Sequence, residues 1–318
     1  QTIAGLSKYD YLFGEDAGNK FFAYRPSMIP NKDLGWEISR TANFGVDFGL
    51  WNNRISGYIE GYITKTSDLL MERTLPFFTG FSKVWQNIGK TENKGIELNI
   101  QANTLKTKSF SWETTVTFAR NWNKITELLG GGDIRNNSWF IGKPLQVHYN
   151  YEMIGVWQLG EEKEAQKYGA IPGDIKVKDQ NNDGSIGELD KVILGQKDPK
   201  IIASLLNSFR FGAFDASINL NMNFGSLIHP NTYASLITRD GLRWMPSNFK
   251  YWTPDNPTNE YTRADKLSGY DPFAGTGGYM KGDYIKIQDI TLGYDFSKIM
   301  PKNWKILRAR LYAQVRNL

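Results

Sequence analysis

The 318-residue sequence predicts an all-β, antiparallel fold, and three observations carry that expectation. Apolar and polar residues alternate with a period of two over segments of about ten residues. Short turns separate some of these segments and long connections separate others. The chain holds 31 glycines, is 14% aromatic, and has no cysteine.

The first clear segment is "TANFGVDFGLW", in which Ala42, Phe44, Val46, Phe48 and Leu50 share one face against Thr41, Asn43, Gly45, Asp47 and Gly49. Asn52 and Asn53 turn the chain into "RISGYIEGYITKT", where Ile55, Ile59 and Ile63 oppose Ser56, Glu60 and Thr64. That pair reads as an antiparallel hairpin. "KGIELNIQA" then sets Ile96, Leu98, Ile100 and Ala102 against Gly95, Glu97, Asn99 and Gln101. In "SFSWETTVTFARN", Phe110, Trp112, Val116 and Phe118 oppose Glu113, Thr115, Thr117 and Asn121. "FDASINLNMNF" alternates throughout, from Phe214 to Phe224, with Asn219, Asn221 and Asn223 on its polar face. "ITLGYDF" and "ILRARLYAQVR" close the series, the latter with Arg308, Arg310, Tyr312, Gln314 and Arg316 on one face.

The composition of the polar face separates two architectures. A sandwich strand turns that face to bulk water and favours Lys and Glu there, whereas these faces are rich in Asn, Ser, Thr, Gly and Gln. Apolar faces ending in aromatics match a transmembrane barrel around a wet lumen. On alternation alone, a large soluble β-sandwich or β-propeller fits as well. Connection lengths favour the barrel. Turns at residues 52–53, 106–108 and 211–214 are short, while residues 69–93, 130–146, 159–199 and 225–282 form long connections. One plain end and one elaborate end is the arrangement of outer-membrane barrels.

The bulk properties exclude several classes. Without cysteine there is no disulfide framework, thiolate metal site or thiol nucleophile. The two histidines, His148 and His229, lie far apart in sequence, and no HExxH pattern is present. The net charge of +5 and pI of 9.0 come from scattered Lys and Arg, so no nucleic-acid groove is expected. No apolar run is long enough for a membrane helix, and the mean hydropathy is −0.46, but a strand-built membrane protein hides its apolar band from such averages. A start at Gln1 without a signal peptide and a stop at "AQVRNL" read as a piece of something longer.

One stretch, "KDQNNDGSIGELD", has the spacing of a calcium loop. Asp179, Asn181, Asp183 and Ser185 alternate, Gly184 permits the bend, and Asp190 takes the last position. Upstream, residues 161–169 form one short helical segment, and Pro172–Gly173 break it before an extended "DIKVK". A calcium sensor's incoming helix is therefore missing, and an aspartate at the last position makes bidentate ligation harder. The loop is expected to staple a connection, with calcium or as a metal-free Asn/Asp/Gly turn, and not to sense.

Several phrases, taken in order, resemble one family. "NKDLGWEISRTANFGVDFGLWNNRISGYIEGYITKTSDLL", "TGFSKVWQNIGKTENKGIEL", "PGDIKVKDQNNDGSIGELDKVILGQKDPK", "YWTPDNPTNEYTRAD", "GDYIKIQDITLGYDF" and "RARLYAQVRNL" are similar to the C-terminal half of SusC/RagA-type TonB-dependent outer-membrane transporters. The resemblance implies an antiparallel transmembrane β-barrel of about 22 strands. Residues 1–318 would be its C-terminal part, without the plug domain and early strands, and residues 159–199 a long extracellular loop. It further implies no enzymatic activity, an outer-membrane location in a Gram-negative cell, and import of oligomeric nutrients, either glycan oligosaccharides or peptides. The implied partners are a SusD-like lipoprotein lid, the TonB-ExbB-ExbD complex acting through the absent N-terminal part, and outer-membrane lipid.

Cargo capture would fall to aromatic side chains in or beside the long loops: Trp139, Tyr149, Tyr151, Trp244, Tyr251, Trp252 and Tyr279. Asn219, Asn221, Asn223, Arg308, Arg310 and Arg316 would line the wet interior. The rival readings are a soluble, calcium-stapled carbohydrate-binding module, a glycosidase, and a TonB-dependent siderophore or cobalamin receptor. A glycosidase needs a carboxylate pair about 5–10 Å apart in a cleft, and no such pair is recognisable.

Overall fold

The computed structural model describes residues 8–16, 19–237, 248–263, 273–301 and 306–318. Its first compact unit comprises Gln1–Leu145, Lys200–Met222 and Ile285–Leu318, and its second Gln146–Pro199 and Asn223–Tyr284.

The first unit is a sheet wall. Strands β3 (Ile38–Leu50), β4 (Ile55–Thr74), β5 (Lys83–Lys106), β6 (Phe110–Leu128), β11 (Ile201–Phe211), β12 (Phe214–Phe224), β15 (Tyr284–Asp295) and β16 (Arg310–Arg316) pair in that order. A preceding hairpin, β1 (Lys8–Asp16) with β2 (Asn19–Ile29), joins through a parallel contact of β2 with β5 at Met28–Lys83 and Ile29–Val84. The remaining strands, β7 (Val147–Tyr151), β8 (Met153–Val156), β9 (Ile175–Val177), β10 (Lys191–Gln196), β13 (Leu227–Ile228) and β14 (Met280–Lys281), belong to the second unit.

Register carries the alternation from strand to strand. Val46 pairs with Ile59, Ile59 with Leu98, Leu98 with Phe118, and Phe118 with Ala203, so one face is apolar across the wall. On the other face Asp47, Tyr58, Asn99, Thr117 and Ser204 make the matching row. A one-residue slip would exchange these faces, so register is strongly specified. Hydroxyl pairs reinforce the polar side: Ser39–Thr66 and Thr41–Thr64 at 2.9 Å, and Thr117–Ser204 at 2.7 Å.

No second layer covers the apolar face among the described residues: Phe44 is 76% exposed and Phe211 62%. A soluble sandwich would bury such side chains, because exposed apolar area of this extent marks an interaction surface or a membrane. Trp112 and Trp122 lie on this face ten positions apart in β6. At about 3.4 Å per residue and a tilt of about 40°, they bracket a band about 26 Å tall, close to the roughly 25 Å apolar band of a membrane barrel.

The turns agree with the predicted asymmetry. At residues 51–54 Trp51, Asn52 and Asn53 all have positive φ, and Arg54 Nε donates to the carbonyl of Asn103 at 3.2 Å. Asparagine tolerates this left-handed backbone better than most residues. One predicted long connection is shorter than expected. Residues 69–93 are mostly strand, since β4 continues to Thr74 and β5 starts at Lys83. Register shifts between Thr66 and Leu70 break the alternation there and conceal the continued pairing. The last strand begins at Arg310, so Arg308 precedes it, donating from Nε to Asp295 at 3.2 Å.

Within the wall the fully buried apolar residues are few. Met71, Ile88, Ile125 and Leu128 form a cluster, with Leu69, Ile134, Trp139 and Leu145 packed against it.

Candidate functional site

The second unit is built from the two longest connections, and its sequence phrases have separate structural jobs. Strand β8 (Met153–Val156) pairs with β9 (Ile175–Val177), and β7 (Val147–Tyr151) pairs with β10 (Lys191–Gln196). Helix α1 (Glu162–Lys167) lies between β8 and β9, as the sequence predicts, and buries Ala165. Trp157 stacks on Tyr168 at 5.9 Å, with the Lys176 ammonium 4.3 Å from the Trp157 ring centre. Lys176 also donates to Glu161 at 2.6 Å, which holds that carboxyl below the usual range, together with the bond from the Gln158 backbone.

"PGD" is a docking element. Gly173 has φ of 93°, and a Cβ there would come within 2.6 Å of Arg263 and 2.7 Å of Trp252. Asp174 accepts from Arg263 Nε at 2.8 Å and from the Ile171 backbone at 3.0 Å. The Arg263 backbone N–H donates to the Gly173 carbonyl at 2.9 Å. Glycine is needed here both for the left-handed backbone and for the close approach. Gln158 adds a second clasp, donating to the carbonyls of Val156 and Thr258 while accepting from Trp252 Nε1 at 2.9 Å.

A recess of ≈ 560 Å³ opens in this unit, lined by Glu152, Tyr233, Asn259, Glu260 and Tyr279 among apolar neighbours such as Met153. Tyr279 is set by both histidines. His148 meets its ring edge-on at 5.1 Å and His229 lies at 4.3 Å. Each histidine Nε2 is 2.9 Å from a backbone carbonyl, that of Leu227 or Gly277. Asn150 Nδ2 donates to the Tyr279 hydroxyl at 3.2 Å. Burial, with Lys197 and His229 nearby, pulls the His148 pKa below its ordinary value. Glu260 and Tyr233 hydrogen-bond Tyr261, whose hydroxyl is pushed up to about 12, chiefly by burial. Such a surface combines an aromatic face with hydrogen-bonding groups, which suits a polyhydroxylated or amide-rich ligand.

The other aromatics expected to capture cargo have different surroundings. Trp252 is buried and bonded to Gln158. Tyr251 is half-buried, stacks at 6.0 Å on Phe249, and has a buried hydroxyl without a hydrogen-bond partner. Tyr151 meets Phe273 edge-on at 5.4 Å under the Lys191 ammonium, and Tyr149 lies beside it in β7. Trp139 packs on the wall's apolar cluster. Trp244 lies outside the described residues. Glu152, Tyr233, Asn259 and Glu260 were not singled out from sequence. The "PTNE" phrase was the available signal, but nothing in its spacing brings it to Tyr279.

The calcium-like loop is closed by hydrogen bonds. Asp179 accepts from the backbone of Asn182 at 2.6 Å and Gly184 at 2.9 Å, and Asp190, 1% exposed, accepts from Gln180 at 2.8 Å and Gly187 at 2.7 Å. Asp183 accepts from the Ser185 hydroxyl at 2.7 Å and from Asn181 at 2.8 Å, bonds that lower its pKa. All five side chains offer oxygen, the donor a hard cation takes, and each carboxylate oxygen of Asp190 keeps a lone pair beyond its one backbone bond. Among the described residues, no three His, Cys, Asp or Glu side chains gather closely enough to hold a metal by themselves.

On the polar face of the wall, Asn219 donates to Asp289 at 3.2 Å and Arg310 Nε to Asp215 at 2.8 Å, with a second Arg310–Asp215 bond from Nη2. Arg316 pairs in register with Asp289 and donates to Gln314 at 3.0 Å. Asn221 and Asn223 continue the row in β12.

A meandering, membrane-height sheet with one wet face and elaborated loops defines an outer-membrane barrel. The family described as TonB dependent receptor-like, beta-barrel matches residues 9–318, and the chain belongs to it. It is 29% identical to TonB-dependent receptor SusC of Bacteroides thetaiotaomicron over 96% of this chain and 30% of that protein. It is also 29% identical to TonB-dependent receptor P26 of Formosa agariphila, over 85% of this chain and 28% of that protein. The fold is shared with the RagAB peptide importer in its closed-closed state, at a TM-score of 0.75 and 20% identity, covering 99% of this chain and 35% of that one. The chain therefore spans about a third of the length of the relatives it matches. It is a barrel segment of the SusC/RagA type, located in the outer membrane.

Proposed function

We propose that the full-length protein imports oligomeric nutrients across the outer membrane, with oligosaccharides as the cargo and peptides as the rival. The observation that carries this is the recess on Tyr279 in a body built from the barrel's longest loops. Capture there would be followed by inward release through an energised conformational change. A SusD-like lipoprotein would close over the mouth, and the TonB-ExbB-ExbD complex would act on the N-terminal part. No covalent chemistry is required. Calcium, held by Asp179, Asn181, Asp183, Ser185 and Asp190, would tighten a loop that hydrogen bonds already close.

The test is to purify the full-length protein from outer membranes in detergent and identify what is retained by mass spectrometry. Recovery of a SusD-like lipoprotein supports the lidded importer, and its absence together with a soluble protein overturns it. Tyr279→Ala should then weaken binding of the retained oligosaccharide at least tenfold, while an unchanged affinity would move capture away from this recess.

A further inference from the structure

The apolar face of the wall carries an uneven distribution of charge. Across β3, β4, β5, β6, β11 and β12, where the period of two runs unbroken below the bulges of β4 and β5, the charged residues on that face are Arg40, Lys65, Glu92, Lys94, Arg120 and Lys124. Five are cations, and all six fall in the half of that band nearer the long loops, with the Lys90–Glu127 ion pair beyond them. Arg40 pairs with Lys65, Lys65 with Glu92, and Glu92 with Lys124, while Lys94 pairs with Trp122 and Ile96 with Arg120. The opposite end of the same face is apolar, ending in Trp112, Phe209 and Phe211.

Three of the cations converge. The ammonium groups of Lys94 and Lys124 each lie 3.2 Å from Glu92, and that of Lys65 lies 3.9 Å away. Glu92 is mostly buried beneath them, its side chain 12% exposed, whereas the lysines are 48–69% exposed. One carboxylate thus gathers three ammonium groups and neutralises only one charge. Each ammonium has three N–H donors, so the three together carry more donors than the roughly four acceptor sites of one carboxylate can take. Beside them a recess of ≈ 580 Å³ is lined by Ile38, Ala42 and Ile63 together with Arg40, Lys65 and Lys90. The Arg120 guanidinium lies 4.6 Å from the Trp122 ring centre, which places the cluster next to an interfacial aromatic.

We propose that this cluster is a binding site for a phosphorylated lipid of the outer leaflet. Its phosphate would sit on Lys65, Lys94 and Lys124, and an acyl chain would run along Ile38, Ala42 and Ile63. The face is the one turned to the membrane, and the long-loop end of such a barrel is extracellular. Cations only meant to reach water would occur at both ends of the band, each snorkelling separately. Here three of them are held together on one carboxylate. Phosphate, with several acceptor oxygens, matches converging donors that a neutral headgroup cannot satisfy.

The experiment uses the full-length protein, purified in detergent and stripped of bound lipid, with bis-phosphorylated lipid A as the probe. Binding is read by native mass spectrometry and by the shift in melting temperature. Wild type should bind the probe at least tenfold more tightly than the triple variant Lys65→Gln, Lys94→Gln, Lys124→Gln. The single variant Lys94→Gln covers the case in which the triple variant does not fold, and should lose affinity about threefold or more. A control pair at the short-turn end, Lys106→Gln with Lys108→Gln, should bind like wild type. Equal affinity in wild type and the cluster variants overturns the proposal. So does equal binding of dephosphorylated lipid A, which would make the contact purely apolar. Inorganic phosphate competing as well as the lipid would show a free-anion site and would equally overturn it.

Discussion

Gly95 shows how one atom can set a local arrangement. A Cβ at this position would lie 2.4 Å from the Tyr62 ring, which crosses the strand pair and donates its hydroxyl to Asn121. Gly95→Val should therefore destabilise the barrel by about 1–3 kcal/mol through overpacking, read as a lower melting temperature by gel shift of the heated protein. Combining it with Tyr62→Ser should recover most of the loss. An additive loss would mean that the ring and the glycine do not interact. His148 makes a second prediction. Its folded pKa lies below the ordinary 6.5, mainly through burial. Just below pH 6.5 the unfolded state binds more protons than the folded state, so stability of the loop unit should fall with pH from there downward. His148→Gln should flatten that dependence, and an unchanged pH profile would remove His148 as its source.

At the scale of elements, the loop 179–190 separates hydrogen bonding from metal binding. Asp190→Ala would strip acceptors from the part-buried Gln180 and Gly187 N–H groups, at a cost of about 1 kcal/mol for each lost bond. Limited proteolysis should then cut this loop faster than in wild type. If calcium binds, its addition to wild type should slow that cleavage and a chelator should restore it; equal rates would leave the turn metal-free. The strands themselves were legible because alternation over many positions is a redundant signal: the register of β3 to β6 places every apolar residue quoted from sequence on one face. The tops of β4 and β5 were not legible, since bulges break the period there. In the loops, Tyr279 was identifiable as an aromatic in a long connection. Its recess was not, because Glu152, Asn259 and Glu260 meet it only through the "PGD" dock and the Gln158 clasp. Neither contact has a local periodicity to read.

For the whole molecule, the wall ends in strands with unpaired backbone groups. Among the described residues, β16 pairs with β15 on one side only, and β3 pairs with β4 alone. An open sheet edge in a bilayer leaves polar groups unsatisfied. The isolated 318-residue chain should consequently aggregate or fail to insert, while the full-length protein folds into detergent micelles. A stable, water-soluble monomer in gel filtration would contradict a membrane wall.

β4, β5 and β6 contain 20, 24 and 19 residues, about twice the 9–11 that cross a bilayer. The surplus is not floppy loop but paired strand, continuing above the lysine row. It makes a three-stranded flange standing roughly 20–30 Å proud of the lipid, from about ten extra residues at about 3.4 Å each and a tilt of about 40°, while β3, β11, β12 and β15 contain only 13, 11, 11 and 12 residues. A Gram-negative surface is covered by a brush of polysaccharide, and a mouth flush with the bilayer would lie at the bottom of it. In the importer proposed above, the flange would carry that side of the entrance into the brush, so a long polymer would meet it without threading down to the membrane. Deleting paired residues from β4 and β5 in matched lengths should then slow uptake of large cargo more than small, and more in cells with long surface polysaccharide than in cells stripped of it.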